Sequence, residues 1–132
     1  MAGASVFTAA EIAYLEGDGR RLGRLATVGA DGVPHVVPVG VSYNRTEGTI
    51  DVGGRRLTAT KKFRDAAHSG RAAIVVDDLA SVDPWRPRGI EVRGRAEAIT
   101  APTPLIRIRP ERIVPWGLEP GGRARSVELA EP

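Results

Sequence analysis

Hydrophobic and polar residues alternate strictly along one stretch of this chain, residues 89–99. Positions 90 to 98 read apolar or glycine at even numbers and charged at odd numbers, which is the pattern of a half-buried antiparallel strand. Other segments have strand composition and are bounded by turn residues. We predict these further strands at Gly23–Val28, 33–41, Thr49–Val52, 71–77, 105–109 and 111–116.

Turn signals and prolines constrain how the first strands pair. The dipeptide Asp31-Gly32 lies between two strand-like segments and indicates a tight hairpin. Pro34 and Pro38 have no backbone N–H, so the segment that contains them must lie at a sheet edge or leave those positions unpaired. A second turn is predicted over residues 44–48.

Two short helices are predicted between the strands. Thr8 and Glu11 have the spacing of a capping box, which opens a helix that runs to about Glu16. A second helix is predicted over residues 58–68, because its apolar residues recur at helical spacing. Its predicted apolar face comprises Ala59, Phe63, Ala66 and Ala67, and its predicted polar surface comprises Lys61, Lys62, Arg64 and Asp65.

These elements predict a single mainly β domain. Six or seven short strands with turn signals every 8–12 residues are typical of a small antiparallel barrel, and two helices are too few for a parallel doubly wound sheet. Residues 78–88 are predicted as a loop, and the chain from Gly121 onward as a frayed tail. Since such a short chain would leave strand edges exposed, we also predict a dimer formed through the sheet.

Composition narrows the classes of function. With 42% hydrophobic and 27% charged residues, the 132-residue chain is ordinary for a soluble globular domain. The absence of cysteine excludes disulfides and thiolate chemistry, and two histidines exclude a histidine-rich metal site. No apolar run approaches the ~20 residues that span a bilayer, and no signal-peptide pattern is visible, so a cytoplasmic protein is expected. Dispersed arginines and few aromatics disfavour nucleic-acid binding.

The candidate chemistry lies between residues 50 and 65. A short strand leads into Gly53 and Gly54, where the backbone can turn sharply and approach a ligand. The following helix directs free N–H groups towards the same place, and four cations add charge: Arg55, Arg56, Lys61 and Lys62. This combination predicts a site for a phosphorylated cofactor. The alternative is a simple turn followed by a solvated helix face.

Outside this segment the sequence identifies no catalytic group. No acid–base pair or nucleophilic triad is readable, as expected where a cofactor carries the chemistry. We interpret His35 as a surface strand residue and Trp116 as a packing residue. Trp85 either packs or lines a pocket, since its loop is polar and rich in proline. Arg107 and Arg109 are predicted to face solvent.

Five segments of the chain read LATVGADGVPHVVPV, TIDVGG, KKFRD with GRAAIVVDD, GIEVRGRAE and RIVPWGLEPG. Together they resemble the split-β-barrel flavin and deazaflavin proteins related to pyridoxamine phosphate oxidase. The resemblance is strongest to the actinobacterial branch that uses the deazaflavin coenzyme F420. It extends from Leu22 to about Gly121 and depends on the order and spacing of the segments.

The resemblance implies an antiparallel split β-barrel with two short helices, and a homodimer with cofactor sites between subunits. The family pattern on the second helix is lysine, any residue, arginine, asparagine. Here Lys62 and Arg64 match, and Asp65 replaces the asparagine. Lys62 is thereby implied as a ligand of the cofactor phosphate. Thr60 stands where an arginine is common, which leaves open whether another nearby cation compensates: Arg55, Arg56 or Lys61.

The same resemblance implies further contacts with the cofactor. The strand that carries Val37 and Pro38 would pass along the ring system, and Val52 with Gly53 and Gly54 would face the cofactor tail. Trp85 and Arg88 would reach across the dimer interface.

The resemblance also implies the activity, an oxidoreductase that transfers hydride between F420 and a small organic acceptor. An FMN-binding oxidoreductase of the same fold and a non-enzymatic cofactor-binding protein stay open as alternatives. The sequence does not identify the substrate.

Overall fold

The computed structural model of the chain describes residues 5–17 and 22–128. Within these residues, eight strands form one antiparallel sheet, accompanied by two short α-helices and a 3-10 helix at Leu57–Ala59. This confirms a mainly antiparallel β fold with two short helices, and the strand count exceeds the predicted six or seven. The elements are α1 Ala9–Leu15, β1 Gly23–Val28, β2 Pro34–Val39, β3 Ser42–Asn44, β4 Thr49–Val52, α2 Lys61–Ser69, β5 Arg71–Ser81, β6 Arg86–Ile99, β7 Leu105–Trp116 and β8 Arg125–Ser126.

The strand order of the sheet is β2-β1-β5-β6-β7-β4-β3, with β8 paired to β7. Strand β6 pairs with β5 on one side and with β7 on the other along nearly its whole length. Strand β2 is terminal in this order, so Pro34 and Pro38 occupy an edge strand, where a missing N–H is tolerated.

Alternation along the strands produces the core. On β6 the side chains of Ile90, Val92 and Ala96 are buried, while the charged residues between them face outward, as predicted. Fully burying an aliphatic side chain stabilises a fold by ~1.5–3 kcal/mol. The largest fully buried aliphatic side chains are Leu25, Ile50, Leu57, Ile74, Ile90, Ile106, Ile108 and Ile113.

The predicted loop over residues 78–88 is wrong. Strands β5 and β6 continue as a long hairpin and pair up to Ser81 and Arg86, with a register shift between Leu79 and Ser81. This end of the hairpin lies beyond the core. Its residues pair through the backbone but lack the apolar alternation that marks half-buried strands.

Strand β7 was predicted as two strands and is continuous. Pro110 lies between the two predicted strands, and the structure places a bulge there: Arg93 pairs with Arg112 and Gly94 with Pro110, leaving Glu111 as the extra residue. A Cβ on Gly94 would lie 1.8 Å from the carbonyl oxygen of Arg109. The close approach of the two strands therefore requires glycine at this position.

The second helix begins later than predicted. Thr60 is the N-cap of α2, and its hydroxyl accepts the N–H of Phe63 at 3.3 Å. The helix ends at Ser69, and its C-cap Gly70 has a positive φ of 69°. Ala59 belongs to the 3-10 helix and Ala67 is exposed, whereas Phe63 and Ala66 are buried.

Two shorter elements also differ from the prediction. The return strand of the first hairpin is Pro34–Val39 rather than 33–41, and a separate short strand, Ser42–Asn44, precedes the turn at 44–48. Three residues give too short a pattern to recognise in the sequence.

The predicted tail from Gly121 is wrong over residues 125–126, which pair with β7. The guanidinium of Arg125 binds the carboxylate of Glu11 at 2.6 and 2.9 Å and the carbonyl oxygen of Val6 at 2.8 Å. Glu11 is 1% exposed, so this ion pair fixes the C-terminal segment to α1. Residues 129–132 of the predicted tail lie outside the described residues.

We expect Arg125→Ala to lower the free energy of unfolding by about 3–5 kcal/mol, because the substitution leaves the Glu11 carboxylate buried without its cation. Denaturant titration measures this change. The control is Arg93→Ala, which removes an ion pair between exposed residues and should lower it by less than about 1 kcal/mol. Equal losses of unfolding free energy for the two variants would contradict the stabilising role of the Arg125–Glu11 ion pair.

Candidate functional site

The candidate site begins where β4 leaves the core. Val52 is fully buried and pairs with Ile106, whereas Gly53 and Gly54 are exposed. A Cβ built on Gly53 would meet no atom within 4 Å, so the space above this backbone is open. The chain thus passes within two residues from the core layer to an accessible surface.

Arg55 and Arg56 follow these glycines and are both exposed. Arg56 has φ 50° and ψ 37°, the one positive φ at a non-glycine residue within the described ranges. An arginine in the left-handed region is uncommon. This conformation directs the chain into the 3-10 helix and then into α2.

Nearly half of the arginines in the described chain are already paired with carboxylates. Seven arginines have such an ion pair: Arg45, Arg71, Arg88, Arg93, Arg107, Arg109 and Arg125. Arg55, Arg56 and Lys62 have no side-chain hydrogen bond or ion pair with any residue that the structure describes. Three cations without partners therefore lie around the 3-10 helix and the first turn of α2.

Two other predicted site residues are engaged within the chain. The hydroxyl of Thr60 donates to the carbonyl oxygen of Leu57 at 2.6 Å while it caps α2. Lys61 Nζ lies 3.2 Å from Asp65 Oδ1. Lys62 is half-buried. The two lysines therefore differ: Lys61 is paired with Asp65, whereas Lys62 is free to bind an anion.

Asp65 was predicted on the helix surface, and the structure shows it 4% exposed. Thr27 on β1 donates its hydroxyl hydrogen to Asp65 Oδ2 at 3.0 Å. The nearby turn is tightly packed, because a Cβ on Gly29 would lie 3.1 Å from Lys61 Nζ. In the sequence, the i,i+4 spacing of Lys61 and Asp65 indicates their ion pair. No sequence pattern indicates the contact of Asp65 with β1.

The environment of Asp65 favours its ionised form. Burial alone raises the pKa of the Asp65 carboxyl, but the hydrogen bonds from Thr27 and Lys61 and the electrostatic interactions with Lys61 and His35 outweigh burial and lower the pKa below its ordinary value. Helix α2 is thus fixed to the sheet by a buried carboxylate with two donors.

Val37 and Pro38 point to opposite faces of the edge strand β2. Val37 is half-buried and packs against the core, opposite Leu25, whereas Pro38 is exposed. A ligand on the outer face of this strand would meet Pro38 and Val36, which is 66% exposed. His35 is half-buried on the inner face, opposite Thr27.

Trp85 and Arg88 lie on the β5–β6 hairpin. Trp85 at the tip is 67% exposed, so it does not pack within this chain. Arg88 binds Asp78 through two hydrogen bonds of 2.8 and 3.0 Å and lies 5.3 Å from the ring centre of Tyr14. The hydrogen bond with Asp78 raises the pKa of Arg88. Within this chain, Arg88 therefore connects the hairpin to Tyr14 of α1.

Arg107 was predicted to face solvent, and this is wrong. Its side chain is 18% exposed, and its Nε and Nη2 bind the two carboxylate oxygens of Asp51 at 3.2 and 3.3 Å. Asp51 also accepts hydrogen bonds from Asn44 and Thr49. This network joins β4 to β3 and β7 directly before the candidate site.

A separate groove of about 470 Å³ lies between α1 and β3. Its lining residues are Ser5, Ala9, Ile12, Ala13, Glu16, Tyr43 and Arg45, none of which belongs to the predicted site. Within residues 5–17 and 22–128, no group of three or more histidine, aspartate or glutamate side chains has a metal-binding arrangement. In the same residues, no helix has the length and apolar character to cross a membrane.

Comparison with known proteins agrees with the fold. Residues 10–128 match the family described as pyridoxamine 5'-phosphate oxidase. A 5a,11a-dehydrotetracycline/5a,11a-dehydrooxytetracycline reductase from Streptomyces rimosus is 44% identical over 124 residues, covering 86% of this chain and 84% of the reductase.

Two solved structures show the same fold at low identity. A conserved hypothetical protein from Mycobacterium tuberculosis has a TM-score of 0.68 and 21% identity, covering 96% of this chain and 95% of that protein. An FAD-binding protein from Mycobacterium smegmatis has a TM-score of 0.59 and 20% identity, covering 83% and 94%.

The chain therefore belongs to the pyridoxamine 5'-phosphate oxidase family, and the predicted split β-barrel is confirmed. The family match and the reductase relative support an oxidoreductase of this fold.

We expect the acid stability of the protein to depend on Asp65. Its folded pKa is lowered, so ionised Asp65 contributes full stability above its ordinary pKa of 3.8 and loses it as pH falls through the folded value. The stability difference between wild type and Asp65→Asn should therefore shrink below about pH 4. Urea midpoints between pH 6 and pH 2 measure this difference.

A second variant tests the cause of that dependence. Thr27→Val removes one of the hydrogen bonds that lower the Asp65 pKa, so its acid-induced loss of stability should be smaller than that of the wild type. Wild-type and Asp65→Asn curves that stay parallel over the whole range would reject the role of Asp65.

Proposed function

We propose that this member of the pyridoxamine 5'-phosphate oxidase family is a reductase that uses coenzyme F420 to deliver hydride to a small conjugated organic acceptor. The observation that carries the proposal is the set of cations without partners, Arg55, Arg56 and Lys62, beside an exposed glycine pair and the start of α2. Free cations beside open backbone fit the phosphate of such a cofactor.

The substrate class comes from the reductase relative. That protein is named for 5a,11a-dehydrotetracyclines, polycyclic molecules with one carbon–carbon double bond more than the reduced product. Identity of 44% over most of both chains supports an acceptor of the same kind here. The reduction adds a hydride and a proton across a conjugated double bond.

In this proposal the chain binds and orients the cofactor and the acceptor and excludes water from them, while F420 supplies the hydride. Arg55, Arg56 and Lys62 hold the phosphate, and the backbone at Gly53 and Gly54 lets the ligand approach closely. Pro38 and the β2 strand lie along the ring, and Trp85 with Arg88 approaches from the partner subunit.

An FMN-dependent oxidoreductase is the second candidate. The FAD-binding protein from Mycobacterium smegmatis has this fold, and at 20% identity the similarity supports the fold alone. A cation cluster also suits the phosphate of FMN.

A direct titration separates these candidates. Adding F420 to the purified protein should give saturable binding with a Kd below about 100 µM, equivalent to about −5.5 kcal/mol, and FMN should bind more weakly. The reduced cofactor should then transfer hydride to a dehydrotetracycline. Binding of FMN alone would favour the second candidate. Stoichiometric binding without hydride transfer to any acceptor would indicate a cofactor-binding protein.

Lys62→Ala should weaken F420 binding roughly 10- to 150-fold, because it removes one charge-assisted hydrogen bond worth ~1.5–3 kcal/mol. Fluorescence titration measures the Kd. Stability should hardly change, since Lys62 has no partner in the described chain. Added salt should weaken wild-type binding more than mutant binding.

The control for Lys62 is Arg123→Ala, which removes an exposed cation that also lacks a side-chain partner among the described residues. This variant should bind as the wild type does. If Lys62→Ala also binds as tightly as wild type, the phosphate site involves Arg55 and Arg56 without Lys62.

The proposed assembly is a homodimer with cofactor sites between subunits. The outer face of β1 and β2 exposes apolar side chains, Val28 at 44% and Val36 at 66%. Ala26 lies between Val36 on β2 and Ala73 on β5, which extends the apolar face across three strands. An apolar sheet face of this kind suits contact with a second copy.

Light scattering at micromolar concentration should give twice the mass of one chain. Val36→Asp should shift the equilibrium towards the monomer, because it places a charge on the apolar face. Thr103→Asp, a charge added to an exposed turn, is the control and should stay dimeric. A monomeric wild type would reject the proposed assembly.

A further inference from the structure

We infer that Asp65 determines which phosphate this site prefers: by cancelling the charge of Lys61, it shifts the preference from a phosphate monoester with two negative charges towards a diester with one. The inference rests on the proposed function, in which the cations beside α2 bind a cofactor phosphate. It adds a specificity-determining residue that does not itself touch the ligand.

Asp65 is buried and accepts hydrogen bonds from two side chains. Its side chain is 5% exposed, it accepts from Lys61 Nζ at 3.2 Å, and it accepts from Thr27 Oγ1 at 3.0 Å. The charged or titratable groups that face this cluster are His35 on β2 and Asp31 in the adjoining turn. Because the carboxylate is buried, water and salt screen its charge poorly.

The position of Asp65 on α2 brings this charge near the site. Lys62 and Asp65 are three residues apart on the helix, so their Cβ atoms are about 5–6 Å apart. Lys61 and Asp65 together contribute no net charge, which leaves Arg55, Arg56 and Lys62 as the cations available to a ligand. An uncharged residue at position 65 would add the full charge of Lys61 to them.

The two candidate cofactors differ in the charge of their phosphate. FMN carries a monoester, with a charge of about −1.5 to −2 at pH 7. The phosphate of F420 is a diester and carries a single negative charge. Coulomb energy is proportional to ligand charge, so a unit change in the site alters the logarithm of the affinity twice as much for a dianion as for a monoanion.

Three flavins with one ring system test this directly: FMN, its methyl phosphodiester, and riboflavin, which has no phosphate. For Asp65→Asn at pH 8 and low salt, we expect FMN to bind on the order of 25-fold more tightly and the diester about five-fold more tightly. Riboflavin affinity should not change. Fluorescence titration gives the three Kd values.

A variant at Lys61 keeps the test valid if Asp65→Asn folds poorly. Lys61→Gln leaves Asp65 uncompensated and should weaken FMN more than the diester. The double variant Lys61→Gln/Asp65→Asn has the net charge of the wild type and should restore the wild-type ratio of FMN to diester affinity. Glu111→Gln, which removes a charge from the β7 bulge, should leave the ratio unchanged.

An unchanged ratio of FMN to diester affinity in Asp65→Asn would overturn the inference. So would equal changes for all three flavins, which would indicate a purely structural role. A wild type that prefers FMN to F420 rejects the proposed cofactor, while the ratio in the variants still decides the role of Asp65. A wild type that binds none of these ligands overturns both proposals.

Discussion

The pairing of β6 with β5 and β7 is the interaction on which the rest of this structure depends. Because β6 bonds to a neighbour on each side along nearly its whole length, β1 and β2 attach through β5, and β4, β3 and β8 attach through β7. The chain must therefore cross β6 when it passes from β4 to β5. Helix α2 makes this crossing and packs on β6, which places the candidate site at the start of that helix.

Buried carboxylates then fix the peripheral elements to the sheet. Glu11 joins α1 to β8, Asp51 joins β4 to β3 and β7, and Asp65 joins α2 to β1. Apolar packing is non-directional and tolerates small rotations of a helix. A buried carboxylate requires donors at defined positions, so it restricts each junction to one arrangement.

The sequence predicted the parts of the fold in which local patterns and burial agree. The alternation on β6, the capping box at Thr8 and the edge position of Pro38 all follow from a few neighbouring residues. The long hairpin and the continuous β7 could not be read in this way, because exposed strands lack alternation and Pro110 lies in a bulge. For the candidate site, the sequence located the cations but not their partners, since Asp65 meets Thr27 only through folding.

The distribution of acids explains why the cations near α2 remain free. Acidic residues of β6 lie close to arginines, so opposite charges meet there: Glu91 pairs with Arg93 on the same strand, and Glu97 pairs with Arg109 of β7. Between Asp51 and Asp65 the sequence contains no acidic residue. Both of these aspartates are buried and already bound, Asp51 to Arg107 and Asp65 to Lys61. The loop between them therefore retains positive charge that the described chain does not neutralise, which is the condition for binding an anionic ligand.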